Sequence, residues 1–200
     1  MPQWLNWLNI LNNTLIFFLS DNGATLFVNN FPFASRKGQV LQGGLNTHSI
    51  IHYPNKIKLQ QVISNAGHVI DILPTILSVT NLEYLTSNDS LPGIDLSKYF
   101  NKSKEELNSV PKRPYLFWEV GGSEGVLKDE RWKWGKRRGV FGSFLYDLEK
   151  DGFENNNLIN SFPEKIDSMK KAYSIYAKEN NVVPAKIVHD YINNRNGKGN

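Results

Sequence analysis

At 200 residues, with 40% apolar and 12% aromatic side chains, the chain carries enough buried-type surface for a sizeable core, which excludes a disordered protein. Its net charge of +4 comes from 23 Lys and Arg against 19 Asp and Glu spread along the chain, and does not by itself imply nucleic acid. The absence of cysteine excludes disulfides, thiolate metal ligands and thiol nucleophiles, and leaves the compartment open.

The start, "MPQWLNWLNILNN", lacks a basic leader and a small-residue cleavage site, so no signal peptide is read there. Trp4, Leu5, Leu8 and Leu11 fall on one side of a helix expected to pack on a sheet. "TLIFFLS" (Thr14 to Ser20) has no polar alternation, the pattern of a strand covered on both faces in a parallel sheet. It stops at Asp21-Asn22-Gly23. The Gly-, Asn- and Ser-rich stretch from Asp21 to Asn46 reads as a long loop beyond the strand's carboxyl end, where open α/β sheets bind ligands.

"HSIIHYP" (His48 to Pro54) reads as a second short strand, and "HVIDILPTILSVTN" as a helix with Pro74 near its first turn. The stretch from Leu82 to Pro114 reads as a connector. "YLFWEV", "ERWKWGK" and "SFLYDLEK" predict three antiparallel strands, and Pro163 to Asn180 a helix with Ile166, Met169, Tyr173 and Tyr176 on one face. No uninterrupted apolar run approaches the roughly 20 residues that cross a bilayer, so no membrane span is expected.

Asp21 and Asn22 offer hard oxygen donors suited to Ca²⁺ or Mg²⁺, although Asp-Asn-Gly also makes an ordinary turn. In "KGQVLQGG" (Lys37 to Gly44), one lysine stands among backbone-permissive glycines, suited to an oxygen of a sulfate or phosphate ester. His48 and His52 are four residues apart, which in a strand separates them by about 13 Å, too far for one ion. His68 reads as a helix-start residue, Asp71 as a first-turn acid favoured by the helix dipole, and His189 receives no role. "RWKWGKRR" (Arg131 to Arg138) mixes aromatic and basic residues, but fits a half-buried strand as well as a nucleic-acid surface, and no nucleic-acid partner is assigned.

In order and approximate spacing, "NTLIFFLSDNGA", "KGQVLQGG", "IIHYP", "HVIDILPTIL", "LPGIDLS", "LFWE", "RWKW", "LYDLEKD" and "NNVVP" resemble the C-terminal part of type I sulfatases, the arylsulfatases of the alkaline phosphatase superfamily. The resemblance implies an α/β fold: part of an alkaline-phosphatase-like sheet sandwiched by helices, then a small antiparallel sheet with a helix. It places the end of the catalytic α/β domain at 1–111, a small α+β subdomain at 112–184 and a frayed tail at 185–200. Asp21 and Asn22 match two ligands of a divalent cation, Ca²⁺ or Mg²⁺, and Lys37 matches a lysine that contacts the substrate sulfate. The implied reaction is hydrolysis of a sulfuric ester, with sulfated glycans the expected substrate class and a formylglycine nucleophile carried in an N-terminal half. Family members are often exported.

The chain departs from the family pattern at Gln42, where Glu is usual, at His48, where Pro is usual, and at Ala34, a common Arg position with Arg36 close by. Val120 to Gly125 also differs from a related subgroup. No Cys/Ser-x-Pro/Ala-x-Arg motif occurs in the 200 residues, so no catalytic nucleophile is assigned and the chain is expected to be inactive alone, relying on the N-terminal half. Phosphodiester or phosphonate hydrolysis and a non-catalytic anion- or sugar-binding module are the alternatives.

Overall fold

The computed structural model describes residues 3–25, 29–83, 91–137 and 142–196. They form two compact units, Met1–Asp21 with His48–Lys112, and Asn22–Thr47 with Arg113–Asn200.

In the first unit, α1 (Gln3–Trp7) buries Leu5, while Trp4 and Leu8 of the predicted apolar stripe are exposed. Strand β1 (Ile16–Leu19) pairs antiparallel with β2 (Ser49–His52), and not in the parallel arrangement expected from its apolar run. Phe18 and Ile50 face each other across this pair at 70% and 60% exposure, so the strand is not covered on both faces. An unbroken apolar run encodes two hydrophobic faces, but not the direction of the neighbouring strand. In this chain the neighbour is β2.

Helix α3 (Ile72–Thr80) follows a single 3-10 turn, Val69–Asp71, and carries Pro74 in its first turn. His68 caps that turn: its Nδ1 accepts from the Ile70 amide at 3.3 Å, while Asp71 accepts from the His68 amide at 2.8 Å. Asp71 is fully buried and also accepts from the Ile94 amide at 2.9 Å, and Thr75 Oγ1 accepts from Leu96 N at 2.8 Å. These bonds tie "HVIDILPT" to "LPGIDLS". A Cβ at Gly93 would overlap the Ile70 carbonyl, which accounts for the glycine between them.

The connector holds a helix that the sequence reading does not place, α4 (Lys104–Ser109), closed by a reciprocal capping box between Ser103 and Glu106. Its signal is the Ser-x-x-Glu signature. Ser103→Ala is expected to lower stability by about 1 kcal/mol, read as a shifted denaturation midpoint; an unchanged midpoint would show that the box contributes nothing.

The second unit is built on a four-stranded antiparallel sheet: β3 (Tyr115–Val120), β4 (Ser123–Lys128), β5 (Trp132–Lys136) and β6 (Ser143–Asp147), in that order. Strand β4 is the correction to the three expected. Its "SEGVLK" breaks the β-branched and aromatic pattern with Glu124 and Gly125, so local preference does not announce a strand there. Gly121 and Gly122, both at positive φ, make the tight turn between β3 and β4.

Helix α5 (Pro163–Glu179) packs Ile166, Met169 and Tyr173 on Val126, Trp134 and Leu145, with Tyr176 partly buried beside them, as its periodicity predicts. On the opposite face, Val40 and Leu41 from the Asn22–Thr47 segment pack on Phe144 and Tyr146. The sheet is thus covered on both faces. Arg131 forms a two-bond contact with Asp147, at 2.8 and 2.6 Å, and also pairs with Glu149 at 2.9 Å. The Arg131 hydrogen bonds hold the Asp147 carboxyl below its usual pKa. The chain continues as α6 (Ala185–Asn196), where the sequence expects a frayed tail; residues 197–200 lie outside the described set. No helix among the described residues is long and apolar enough to cross a membrane.

Candidate functional site

The two segments singled out by sequence are joined by their backbones. The Gly23 amide donates to Gly44 O at 2.9 Å, and the Lys37 amide donates to Ala24 O at 2.9 Å. The Asn30 side chain closes the same loop, accepting from Ala24 N at 3.2 Å and donating to Ala24 O at 3.3 Å and Ser35 O at 3.0 Å. Lys37 and Asn30 therefore converge on one carbonyl. Residues 26–28 of this loop lie outside the described set.

The glycines of the motif are explained by close approach. A Cβ at Gly23 would overlap the Gly43 carbonyl oxygen, and one at Gly43 would overlap the carbonyls of Ala34 and Ser35. Gly43 and Gly44 lie in α2 (Gln42–Leu45), a single turn of helix, and both are buried. Its fold brings main chain against main chain. Lys37 and Arg36 are exposed and Asn22 is half-buried.

Asp21 is exposed and ends the first segment of the first unit; Asn22 begins the first segment of the second. Their donor chemistry fits a hard divalent cation, but two residues supply only part of the six to eight oxygens that Ca²⁺ takes. Among the described residues, no group of three or more His, Cys, Asp or Glu side chains is placed to hold a metal ion. His52 lies in β2 and His48 just before it.

A polar cluster that sequence reasoning missed lies behind the loop. Lys133, on the β5 face opposite α5, is 1% exposed, and its Nζ sits 2.7 Å from Glu154 Oε1 and 3.2 Å from Gln42 Oε1. Glu154 Oε2 accepts from the Gln42 amide at 2.7 Å. The Oε1 contact is an ion pair by distance, without hydrogen-bond alignment. Burial pushes the Lys133 ammonium down to about 8, with the Glu154 charge opposing that shift. The alternation of Trp132, Lys133 and Trp134 gives the faces of β5 correctly, but not that Lys133 is covered. The buried positions of Lys133 and Trp134 also remove them from any surface that could meet a nucleic acid.

The α/β fold of the chain is that of alkaline-phosphatase-like sulfatases. It superposes on the crystal structure of Ps i-CgsB with a TM-score of 0.74 at 23% identity, covering 88% of this chain and 39% of that one. A second solved structure, BT4656 in complex with D-glucosamine-2-N,6-O-disulfate, gives a TM-score of 0.66 at 20% identity, covering 92% of this chain and 38% of that one.

Residues 3–82 match the Sulfatase family model. The arylsulfatase of Clostridium perfringens is 30% identical over 166 residues, 80% of this chain and 33% of that protein. The N-acetylgalactosamine-6-sulfatase of Sus scrofa is 30% identical over 137 residues, 64% of this chain and 25% of that protein. These matches put the chain with the sulfatases, and it covers part of that family: it spans a quarter to a third of the length of these two relatives.

Proposed function

We propose that the chain contributes one side of a sulfuric ester hydrolase site, with Asp21 and Asn22 as oxygen ligands of a divalent cation, Ca²⁺ or Mg²⁺, and Lys37 as the contact to the sulfate group. The observation that carries this reading is the backbone docking of Gly23 and Ala24, the residues that follow Asp21 and Asn22 in the chain, onto the Lys37 loop through the Gly23–Gly44 and Lys37–Ala24 bonds. Its support is chemical as well as geometric. An exposed ammonium on a loop held by main-chain bonds can meet a sulfuryl oxygen with little reorganisation, and stabilises charge that grows there during S–O cleavage. A bound cation would supply Lewis-acid polarisation of the same group.

Sulfated sugars are the favoured substrate class. The relatives include an N-acetylgalactosamine-6-sulfatase and an ulvan-active sulfatase, and one structural neighbour carries a sulfated glucosamine. Phosphodiester and phosphonate hydrolysis have no comparable support among them. No residue of this chain is assigned the nucleophile; the formylglycine and the remaining metal ligands are assigned to a sulfatase N-terminal half. The exposed Phe18–Ile50 pair is an apolar face that such a half could cover.

The 200-residue chain alone is expected to give no turnover of 4-nitrophenyl sulfate, and calorimetry with Ca²⁺ to show little heat. Inorganic sulfate at millimolar concentration should shift the Lys37 amide resonance, and Lys37→Ala should abolish saturable binding. Turnover by the isolated chain would sink the assignment of the nucleophile elsewhere. A Lys37 resonance indifferent to sulfate would sink its assigned role.

A further inference from the structure

We propose that the buried Lys133–Glu154 pair is a positioning clamp that fixes the Lys37 loop against the antiparallel sheet by holding Gln42 at both its amide and its side chain. Three observations meet here. The two charged side chains are 1% and 0% exposed and come from separate segments of the chain, yet their other contacts converge on one residue of the loop. The Glu154 backbone stands at φ 62°, an uncommon conformation for a residue with a side chain. A buried ion pair is also a poor device for stability alone, since desolvating two charges offsets much of their attraction. Its specific yield is a fixed location for Gln42.

From Gln42 the restraint passes along a short path. Gln42 begins the helical turn α2, whose next residue, Gly43, donates to Ala34 O at 2.9 Å, and Gly44 accepts from Gly23 N. Val40 and Leu41, between Lys37 and Gln42, are pressed on Phe144 and Tyr146 of the same sheet face. The backbone after Lys37 is thus held at an apolar anchor and then at a polar one. Gln42 also explains itself chemically: a neutral amide oxygen completes the Lys133 ammonium without bringing a second carboxylate beside Glu154. The functional meaning of the clamp rests on Lys37 meeting sulfate; its mechanical role does not.

The test is amide exchange on the 200-residue chain. In the apolar double variant Lys133→Met/Glu154→Leu, which removes the clamp without leaving a buried charge, the Lys37, Gln42 and Gly43 amides are expected to exchange about tenfold faster or more, while Val126 and Leu145 in the sheet keep their protection. Glu154→Gln, which retains an acceptor for the Gln42 amide, should restore part of the Gln42 protection. Inorganic sulfate should bind the double variant at least about fivefold more weakly than the native chain, a loss of about 1 kcal/mol. Unchanged loop exchange in the double variant would overturn the clamp, as would a uniform rise that includes Val126 and Leu145. If sulfate leaves Lys37 unmoved in the native chain, the sulfate reading falls while the exchange result still decides the clamp.

Discussion

Glu154→Ala is expected to destabilise the second unit by about 3–5 kcal/mol, because it leaves the Lys133 ammonium buried without its counter-charge and the Gln42 amide without its acceptor. Further variants separate these two effects. Glu154→Gln keeps an acceptor for Gln42 but not the charge, and should fall between Glu154→Ala and the native chain. Lys133→Met/Glu154→Leu removes both charges and so avoids the unpaired ammonium, but like Glu154→Ala it leaves the Gln42 amide without its acceptor, so it should cost about 1–3 kcal/mol, less than Glu154→Ala. Urea denaturation midpoints at one pH decide the order. A Glu154→Ala chain as stable as native would mean that water reaches the pair in the folded protein and that the charge of Lys133 needs no partner there.

The pH dependence follows from the same residue. Lys133 titrates near 8 in the fold against an ordinary 10.5. Below about pH 8 both folded and unfolded chains carry its proton, and nothing changes. As pH rises further the folded chain releases the proton first, so the unfolded chain binds more protons, and this group's contribution to stability increases up to about pH 10.5. The groups facing it are Glu154, Gln42 and the cross-strand neighbour Tyr146, whose own hydroxyl is pushed up by burial. Because other groups titrate in this range, the readout is the difference between native and Lys133→Met. That difference should move in favour of the native chain between pH 8 and pH 10, and a difference flat with pH would refute the depressed pKa.

Much of the architecture was legible because periodicity reports directly on burial. Ile166, Met169 and Tyr173 recur at helical spacing and are buried in α5, and Trp132 and Trp134 share the β5 face beneath it. Partner and direction were less legible. The apolar residues of β1 said nothing of an antiparallel neighbour, and Ser123 to Lys128 did not read as a strand because its pairing with β3 and β5 overrides weak local preference. At the candidate site, Asp21, Asn22 and Lys37 stood out by residue type and order, whereas Glu154 carried no local signal. Its partners Gln42 and Lys133 lie 112 and 21 positions away, and only tertiary packing makes a buried cluster of them. Gln42 was the one visible hint, as a departure from the sulfatase pattern at a position that the structure places against the Lys133 ammonium.

Gly23→Ala is expected to cost about 3 kcal/mol, the upper range for forcing extra volume into a packed region, because its Cβ meets the main-chain carbonyl of Gly43 and not a side chain that could turn aside. Relief requires the backbone at Gly23 to separate from α2. That breaks the Gly23–Gly44 bond and strains the Lys37–Ala24 bond one residue on. Gly38 supplies the control: it has φ +83° but open space where a Cβ would stand, so Gly38→Ala should cost only about 1 kcal/mol, from backbone conformation alone. Denaturation should give that ranking, and amide exchange should show Lys37 released in Gly23→Ala but protected in Gly38→Ala. If the two substitutions cost the same, backbone conformation and not close approach governs this loop, and the docking that supports the sulfate-site reading is looser than the Gly23–Gly43 contact implies.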